Sequence, residues 1–354
     1  MKRFIGLAMA MVMSATMLAG CGSSSSSSSK AGSGSASASG SSSAQTASAD
    51  AVTLKLTVES AVGTPGDLSA NDFKTMVEEK SNGSINVEYY PAGQVGTGDD
   101  LTELMQTGSI DMSWRAIDWY SKFENGWNIL LMGFLFKNED HVYKFLESDK
   151  EQELKDALVQ DAGLRMLTDK GVGAHRVLIS KNPVNTPDDL KGMNVRVPGI
   201  EMYQKTWSGL GANCISVAWG DSYMALNNGT VDALESPLGS IYGMAFYEAA
   251  KNITYTNHVY SPYVMVINEN SYQKLSEEQQ QIITECAEEA AAKYVEYDKK
   301  SVEENVQAMV DEGVVINENP DIEAFQEKLA PVAEECEKEG TWPEGLYDYV
   351  QGLE

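Results

Sequence analysis

Alternating strand-like segments and amphipathic helical segments follow one another along most of the chain. Apolar and polar residues alternate from Val52 to Glu59, which is typical of a strand with one buried face. From Ser69 to Lys80 apolar residues recur at helical spacing, and Ser84 to Tyr90 then has the pattern of a second strand. This β-α-β order predicts a mostly parallel sheet covered by helices, and therefore an α/β protein.

A short unit occurs twice, about 120 residues apart. In each copy an acidic residue opens a helix, a glycine suits the left-handed position that ends it, and an apolar residue followed by Asp begins a strand. The two copies run from Asp99 to Asp111 and from Asp221 to Asp232. They predict two lobes built alike. Chance recurrence of a common helix-glycine-strand motif is the alternative.

A third long pattern runs from Leu275 to about Glu312. Ser276 and Gln279 have the spacing of a capping box, and apolar residues recur at helical spacing behind them. An unbroken helix here would be about 55 Å long, long enough to bridge two lobes. A break near Asp298 to Ser301 would instead give two ordinary helices.

The apolar segment from Met193 to Pro198 contains an arginine, Arg196. A guanidinium keeps its proton, so burying it requires an anion or several hydrogen-bond acceptors nearby. The anion could be an internal Asp or Glu, or it could arrive from solution. The residues of this strand alone leave both possibilities open.

The overall charge excludes some partners. The chain has 354 residues, enough for one large or two medium lobes, and its 52 acidic and 26 basic residues give a net charge of −26. Such a balance opposes binding to nucleic acid and to anionic lipid surfaces. An anionic ligand would have to be held by local positive groups.

The N-terminus has the pattern of a secretion signal. Lys2 and Arg3 precede an apolar run that closes with Leu18-Ala19-Gly20-Cys21, and the run is too short for a membrane span. The segment resembles the lipobox of bacterial lipoproteins, which predicts a signal peptide over 1–20 and a lipid on Cys21. A simple cleaved signal with an incidental cysteine is the alternative.

Residues 21–51 are predicted to be a flexible tether. Apart from the cysteine they are nearly all Ser, Gly and Ala, a composition that cannot bury apolar surface. A random coil of this length reaches about 30 Å. Together with the lipid, it would hold a folded domain beside a membrane.

Motifs for metal binding or catalysis are absent from the sequence. The remaining cysteines, Cys214, Cys286 and Cys336, are widely spaced, and the three histidines are equally dispersed. We expect buried apolar thiols, although a disulfide between two of them is possible. No nucleophile elbow, zinc-protease helix, phosphate loop or dinucleotide fingerprint occurs, so we expect no enzyme and no cofactor.

A series of short motifs resembles the solute-binding proteins of TRAP transporters, of the C4-dicarboxylate-binding type. The resemblance begins near Val52 and runs to the end of the chain. Its motifs are Tyr90-Pro91-Ala92-Gly93-Gln94, Thr186-Pro187-Asp188-Asp189-Leu190-Lys191-Gly192-Met193, Val195-Arg196-Val197-Pro198, Leu210-Gly211-Ala212, Gly229-Thr230-Val231-Asp232, Glu235-Ser236-Pro237-Leu238 and Thr256-Asn257-His258.

The resemblance implies a two-lobed fold like that of periplasmic binding proteins, with a central cleft, crossing strands and a long helix that spans both lobes. On this basis we expect lobe I to comprise 52–173 and about 262–301. Lobe II would then comprise 174–261 and about 302–354.

Two arginines are implied as ligand contacts. In the family, the arginine of the Arg-Val-Pro motif, here Arg196, pairs bidentately with the ligand carboxylate, for which a planar fork is well suited. Arg176 occupies the place of a second ligand-contacting arginine in some members. It could equally cap the edge of the strand that begins there.

Two aromatic residues are also implied. Trp219 takes the position of an aromatic that lines the cleft, where it could contact the ligand or simply pack in the core. In the first lobe, Trp114 and Arg115 are neighbours in a strand, so only one of them can face the ligand. We expect this residue to be Trp114.

Ser236 departs from the family pattern, which usually has asparagine there. A serine hydroxyl reaches less far than an amide, so the pocket beside Arg196 would be roomier, or a water would replace the amide. With the tryptophans, this favours a monocarboxylate or bulky organic acid over a compact dicarboxylate.

The resemblance implies a protein that captures an organic acid and delivers it to the integral-membrane subunits of a TRAP transporter. We expect a monomer on the extracytoplasmic face of the cell membrane, attached through its lipid only. A tethered binding protein that serves a sensor or another membrane partner is an alternative, and a hydrolase is a more remote one.

Overall fold

The computed structural model describes residues 51–173 and 175–353. The predicted signal peptide, Cys21 and nearly all of the tether lie outside these residues. Within them the chain forms strands β1 to β11: Val52–Thr57, Ile85–Tyr90, Met112–Ala116, Leu164–Gly171, Arg176–Ser180, Asn194–Val197, Asn213–Ser216, Ala233–Pro237, Asn252–Thr254, Tyr263–Asn268 and Val315–Asn317. It forms helices α1 to α12: Pro65–Lys80, Gly98–Gln106, Glu139–Leu146, Asp149–Ala162, Glu201–Gly209, Ser222–Asn228, Leu238–Gly243, Phe246–Ala249, Glu269–Gln273, Glu277–Asp311, Ile322–Glu339 and Leu346–Gln351. Short 3₁₀ helices cover Ile117–Tyr120, Asn125–Leu131, Pro187–Leu190 and Trp219–Asp221.

The strands form two sheets with matching topology. The first has the order β2-β1-β3-β10-β4, and the second has the order β11-β9-β5-β8-β6-β7. In the first sheet β1 lies parallel to β2 and β3, and in the second β6 lies parallel to β7 and β8. The prediction of two units built alike is therefore confirmed at the level of the sheets.

Both sheets are mixed, so the prediction of a mostly parallel sheet holds only for their first three strands. β10 lies between β3 and β4 and runs antiparallel to both. β5 lies between β8 and β9 and is likewise antiparallel to both. The chain reaches β5 directly from the first sheet and β10 directly from the second sheet. This crossing sets the direction of each strand.

The twice-occurring unit has the same backbone contacts in both copies. The Asp111 amide donates to the Lys55 carbonyl at 3.1 Å, and the Asp111 carboxylate accepts from the Lys55 amide at 2.8 Å. In the same way, the Asp232 amide donates to the Asn194 carbonyl at 2.8 Å, and the Asp232 carboxylate accepts from the Asn194 amide at 3.0 Å. An Asp at this position ties the start of one strand to its parallel neighbour, which is a physical reason for the pattern.

The long helix is unbroken. α10 contains 35 residues and begins with the predicted capping box, in which Ser276 and Gln279 bond each other's main-chain amides. At 1.5 Å per residue it is about 52 Å long. Its first half packs on the first sheet through residues such as Ile283 and Tyr294, and its last turns pack on the second sheet through Met309. The helix therefore bridges the two sheets.

The C-terminal segment also contacts both halves. α11 packs against α5 through the cluster that contains Leu329 and Trp207. Farther on, the Asn125 and Asn128 side chains donate to the carbonyls of Gly340 and Thr341. The end of the chain is thus held by residues 125–128 as well as by the second sheet's helices.

Cys214, Cys286 and Cys336 are all free thiols; Cys286 and Cys336 are buried as expected, whereas Cys214 is only partly buried. Burial raises the pKa of the Cys286 thiol to about 11, which keeps it protonated and inert at neutral pH. In the described part of the chain, no helix is both long enough and apolar enough to span a membrane.

Candidate functional site

A cavity that is partly open to solvent lies between the two sheets. Its walls come from the loop after β1, from β3 and β10 of the first sheet, and from β6 and β8 of the second. The middle of α10 supplies Tyr294 and Asp298. Three arginines line it: Arg115, Arg176 and Arg196.

Arg196 is buried, with 3% of its surface exposed. Its Nε and Nη2 donate to the carbonyl of Val217 at 2.9 and 2.7 Å, and it forms no ion pair with any described residue. Burial lowers its pKa to about 10; the charge of Arg176 acts in the same direction, and that of Glu235 opposes it. The possibility of an internal carboxylate partner is thus not realised, and the cation is left with one neutral acceptor.

Arg176 does have an internal partner. Its Nη2 donates to Glu235 Oε1 at 2.8 Å and its Nε to Oε2 at 2.5 Å, forming a bidentate pair buried on both sides. Burial alone would raise the pKa of Glu235, but the charge and hydrogen bonds of Arg176 lower it to about 2. The Arg176 guanidinium also lies 4.9 Å from the ring centre of Tyr203. Arg176 lines the cavity, but its charge is already neutralised.

His258 adds no charge to this cluster. Its Nε2 lies 3.4 Å from Glu235 Oε2, and burial lowers its pKa. Its Nδ1 lies 2.9 Å from the Thr256 hydroxyl. His258 is therefore neutral, and Glu235 is matched by Arg176 alone.

Arg115 is neutralised by Glu59. Arg115 Nη1 donates to Glu59 Oε1 at 3.0 Å and to the carbonyl of Gly98 at 2.9 Å, while Nη2 donates to the Thr102 hydroxyl. The Gly98 amide in turn donates to the same Glu59 oxygen at 3.2 Å. Gly98 has φ +58, a left-handed conformation that favours glycine, and a Cβ there would lie 3.2 Å from the ring of Trp119, a tight contact.

Two half-buried tryptophans line the cavity, and each lies over an arginine. The Arg196 guanidinium is 5.5 Å from the ring centre of Trp219, and that of Arg115 is 5.7 Å from the ring centre of Trp119. Trp219 packs edge-on against Phe246 at 5.3 Å. Trp219 lines the cavity, as the resemblance implied, and Trp119 is a second aromatic that the sequence did not indicate.

Ser236 lies at the end of β8 and lines the cavity with 1% of its surface exposed. Its hydroxyl makes no hydrogen bond to any described residue. A buried hydroxyl that faces a cavity in this state is available to a ligand or a water. The structure thus brings Arg196, Arg176, Trp219 and Ser236 together around one cavity.

Trp114 does not line the cavity. It is fully buried in the core beneath the first sheet, where its Nε1 donates to the Ser69 hydroxyl at 2.8 Å and its ring packs edge-on against Tyr263 and Tyr294. Its neighbour Arg115 faces the cavity instead. The expectation that Trp114 faces the ligand is corrected here, because adjacent residues of a strand point to opposite faces.

The repeated unit contains a signal that would have identified Arg115. Arg115 lies four residues after Asp111, and Ser236 lies four residues after Asp232. Since the two sheets share their topology, these positions are equivalent, and both side chains line the cavity. Glu59, Trp119 and Asp298 have no comparable signal in the sequence.

The cavity also contains carboxylates. Among the described residues, no group of His, Cys, Asp or Glu side chains is arranged to hold a metal ion. The acidic residues that line it are Glu59, Asp118 and Asp298. Both Asp118 oxygens accept hydroxyl hydrogen bonds, from Tyr203 at 2.6 Å and from Ser261 at 2.5 Å.

Known proteins resemble this chain over most of its length. Residues 57–339 match the family model "Bacterial extracellular solute-binding protein, family 7". The sialic acid-binding periplasmic protein SiaP of Vibrio cholerae is 28% identical over 289 residues, which cover 80% of this chain and 88% of the relative. The 2,3-diketo-L-gulonate-binding periplasmic protein YiaO of Escherichia coli is 29% identical over 283 residues, 79% of this chain and 85% of the relative.

A solved structure has the same fold. A TRAP periplasmic solute binding protein from Chromohalobacter salexigens with bound D-glucuronate gives a TM-score of 0.81 at 27% identity, covering 85% of this chain and 100% of that one. The family match is consistent with the two-sheet architecture and with the cavity between the sheets. The chain belongs to family 7 of the bacterial extracellular solute-binding proteins, and it is a binding protein of the TRAP transporter type rather than an enzyme.

Proposed function

We propose that this protein captures an organic acid by its carboxylate, with Arg196 as the anchor. The observation that carries the proposal is a buried guanidinium beside a cavity, bonded to one carbonyl and to no carboxylate of the described residues. A ligand carboxylate would supply the missing charge through a bidentate pair. Trp219 would pack on the ligand, and the free hydroxyl of Ser236 would bond it directly or through a water.

The lining of the cavity supports a bulky monocarboxylate over a compact dicarboxylate. The serine at 236 is shorter than an asparagine and leaves room beside Arg196. The relatives named for sialic acid and for 2,3-diketo-L-gulonate, and the structure with bound D-glucuronate, point in the same direction. Arg176 would contribute by holding Glu235 and shaping the wall rather than by pairing with the ligand.

Capture would proceed by closure of two lobes. We propose lobe I over 52–173 and about 262–301, and lobe II over 174–261 and about 302–354, since the chain passes between the sheets near each of these boundaries. The C-terminal contacts with residues 125–128 would couple the two. Closure would exclude water and strengthen the charged hydrogen bonds. The closed form would then dock on the integral-membrane TRAP subunits.

A lipid on Cys21 would keep the protein at the extracytoplasmic face of the cell membrane. The Leu18-Ala19-Gly20-Cys21 sequence and the small polar residues behind it support this. Replacing Cys21 with Ser should move the protein from the detergent phase to the aqueous phase on Triton X-114 partitioning, with ligand affinity unchanged. Continued detergent partitioning of Cys21→Ser would count against the anchor.

The ligand proposal is tested by titration calorimetry with the acid that co-purifies with the protein. Arg196→Ala should weaken binding by roughly 2–5 kcal/mol, because it strands a partly buried carboxylate. Arg165→Ala is the matched control, since Arg165 is paired with Glu269 and lies outside the cavity; it should bind normally. Binding by Arg196→Ala within twofold of the unmodified protein would refute the anchor. If a sensor protein instead of the TRAP subunits is recovered with the ligand-bound form, only the proposed partner changes, and the ligand proposal stands.

A further inference from the structure

We infer that Glu59 determines ligand specificity by neutralising Arg115. The cavity therefore accepts an acid whose far end carries hydroxyl donors and rejects an acid with a second carboxylate. This inference rests on the proposed function. It concerns the first-sheet wall of the cavity, away from the Arg196 anchor on the second sheet.

Three arginines and three carboxylates line the cavity, and one of the arginines has no carboxylate partner among the described residues. Arg176 is matched by Glu235, and Arg115 is matched by Glu59. Arg196 has no carboxylate partner among the described residues. A monocarboxylate therefore finds one open positive site, whereas the second carboxylate of a diacid would have to lie against neutralised arginines.

Glu59 prevents Arg115 from acting as a second anchor for a ligand carboxylate. It is the ion-pair partner of Arg115, and the remaining Arg115 contacts, to Gly98, Thr102 and Tyr120, are with uncharged groups. Arg115 is 2% exposed and lines the cavity. Without the Glu59 charge, the wall would present a second buried guanidinium, in the same state as Arg196.

Glu59 also presents an acceptor to the ligand. Its Oε1 takes the bonds from Arg115 and Gly98, and its Oε2 makes no hydrogen bond to any described residue. The side chain is 13% exposed and lines the cavity. A ligand hydroxyl can donate to this oxygen, whereas a ligand carboxylate would meet like charge. Ser60 and Tyr263, whose hydroxyls lie 3.1 Å apart on the same wall, add polar contacts of the same kind.

The inference predicts how one substitution changes ligand preference. Glu59→Gln keeps the size and an acceptor oxygen but removes the charge. A unit charge several ångströms from a bound carboxylate changes affinity by roughly 10- to 100-fold at a partly buried site. The affinity for diacids relative to monoacids should therefore rise by at least about tenfold. Glu269→Gln is the matched control, because it also removes a carboxylate paired with an arginine, Arg165, outside the cavity.

The experiment uses four six-carbon acids that differ only in hydroxyls and in a second carboxylate: hexanoate, D-gluconate, adipate and D-glucarate. Calorimetry on the unmodified protein should rank D-gluconate first. In Glu59→Gln the D-glucarate to D-gluconate ratio should shift toward D-glucarate, and in Glu269→Gln it should not move. The inference is overturned if hexanoate or either diacid binds the unmodified protein best, if D-gluconate does not bind, or if Glu59→Gln leaves the ratio unchanged.

Failure of this inference and failure of the proposed function give different results. If hexanoate or D-glucarate binds and Arg196→Ala abolishes that binding, the carboxylate anchor stands and only the role of Glu59 fails. If Arg196→Ala binds every acid as the unmodified protein does, the proposed function fails as well.

Discussion

Two of the three buried arginines of the cavity, Arg196 and Arg176, should respond in opposite ways to the same substitution. Arg196 lacks a carboxylate partner, so Arg196→Met should abolish ligand binding without weakening the ligand-free fold. Arg176 neutralises Glu235, so Arg176→Met should destabilise the fold. Methionine approximates the length of the aliphatic part of the side chain and carries no charge.

The magnitude for Arg196 follows from its pKa. Burial lowers its pKa to about 10, and each pKa unit of lowering corresponds to about 1.4 kcal/mol, so the charge costs the ligand-free fold about 3 kcal/mol. This cost applies in full below pH 10, where the guanidinium is protonated in both the folded and the unfolded chain, and it fades at higher pH. The charge-assisted bonds to the Val217 carbonyl offset it by about 1.5–3 kcal/mol. The free energy of unfolding of Arg196→Met should therefore lie between no change and an increase of about 2 kcal/mol.

The destabilisation expected for Arg176→Met is the cost of breaking a buried ion pair. Removing one partner leaves Glu235 charged and buried, which costs about 3–5 kcal/mol. The two variants should thus differ by at least about 3 kcal/mol in free energy of unfolding.

Urea titration of both variants, after removal of bound ligand by partial unfolding and dialysis, measures this difference. Calorimetry with the acid that co-purifies with the unmodified protein measures binding. Equal destabilisation by the two substitutions would refute the view that Arg196 is an unmatched cation held for a ligand. So would normal ligand binding by Arg196→Met.

The other predictions concern the walls of the cavity and the pH dependence of stability. Trp219→Ala should weaken ligand binding by about 1–2 kcal/mol, because it removes the ring that covers the Arg196 guanidinium; calorimetry that shows unchanged affinity would contradict this. Trp114→Phe should lower the free energy of unfolding by about 1–3 kcal/mol, because the hydrogen bond to Ser69 is lost. Ligand affinity should not change. A loss of affinity without a loss of stability would instead show that Trp114 contacts the ligand. The pKa of Glu235 is depressed to about 2, so its contribution to stability is present above about pH 4.5 and should be lost as the pH falls toward 2. Urea titrations at pH 6 and pH 3 should show this loss in the unmodified protein and a smaller one in Arg176→Met.

The features that the sequence predicted correctly depend on local patterns. The capping box at Ser276 and the helical spacing behind it are local, and they located α10 to within two residues. The buried arginine in a short apolar segment is also local, because one charged residue among Val195 and Val197 requires an explanation wherever the strand lies.

The features that the sequence did not decide depend on long-range pairing. Whether Arg176 meets a ligand or an internal acid is set by the antiparallel pairing of β5 with β8, which brings Glu235 beside it. Strand alternation shows that Trp114 and Arg115 face opposite ways, but only the equivalence of Arg115 with Ser236, on the other sheet, indicates which of the two borders the cavity. Glu59 follows the end of β1, and its pairing with Arg115, 56 residues later, could not be derived from local spacing.

The most direct test of the carboxylate anchor is native mass spectrometry of the protein purified without added ligand, beside Arg196→Met prepared in the same way. The structure leads us to expect an adduct on the unmodified protein that is released on unfolding and identified as an organic acid, and no such adduct on Arg196→Met. A neutral compound in the cavity, or the same acid at equal occupancy in both proteins, would contradict the anchoring role of Arg196.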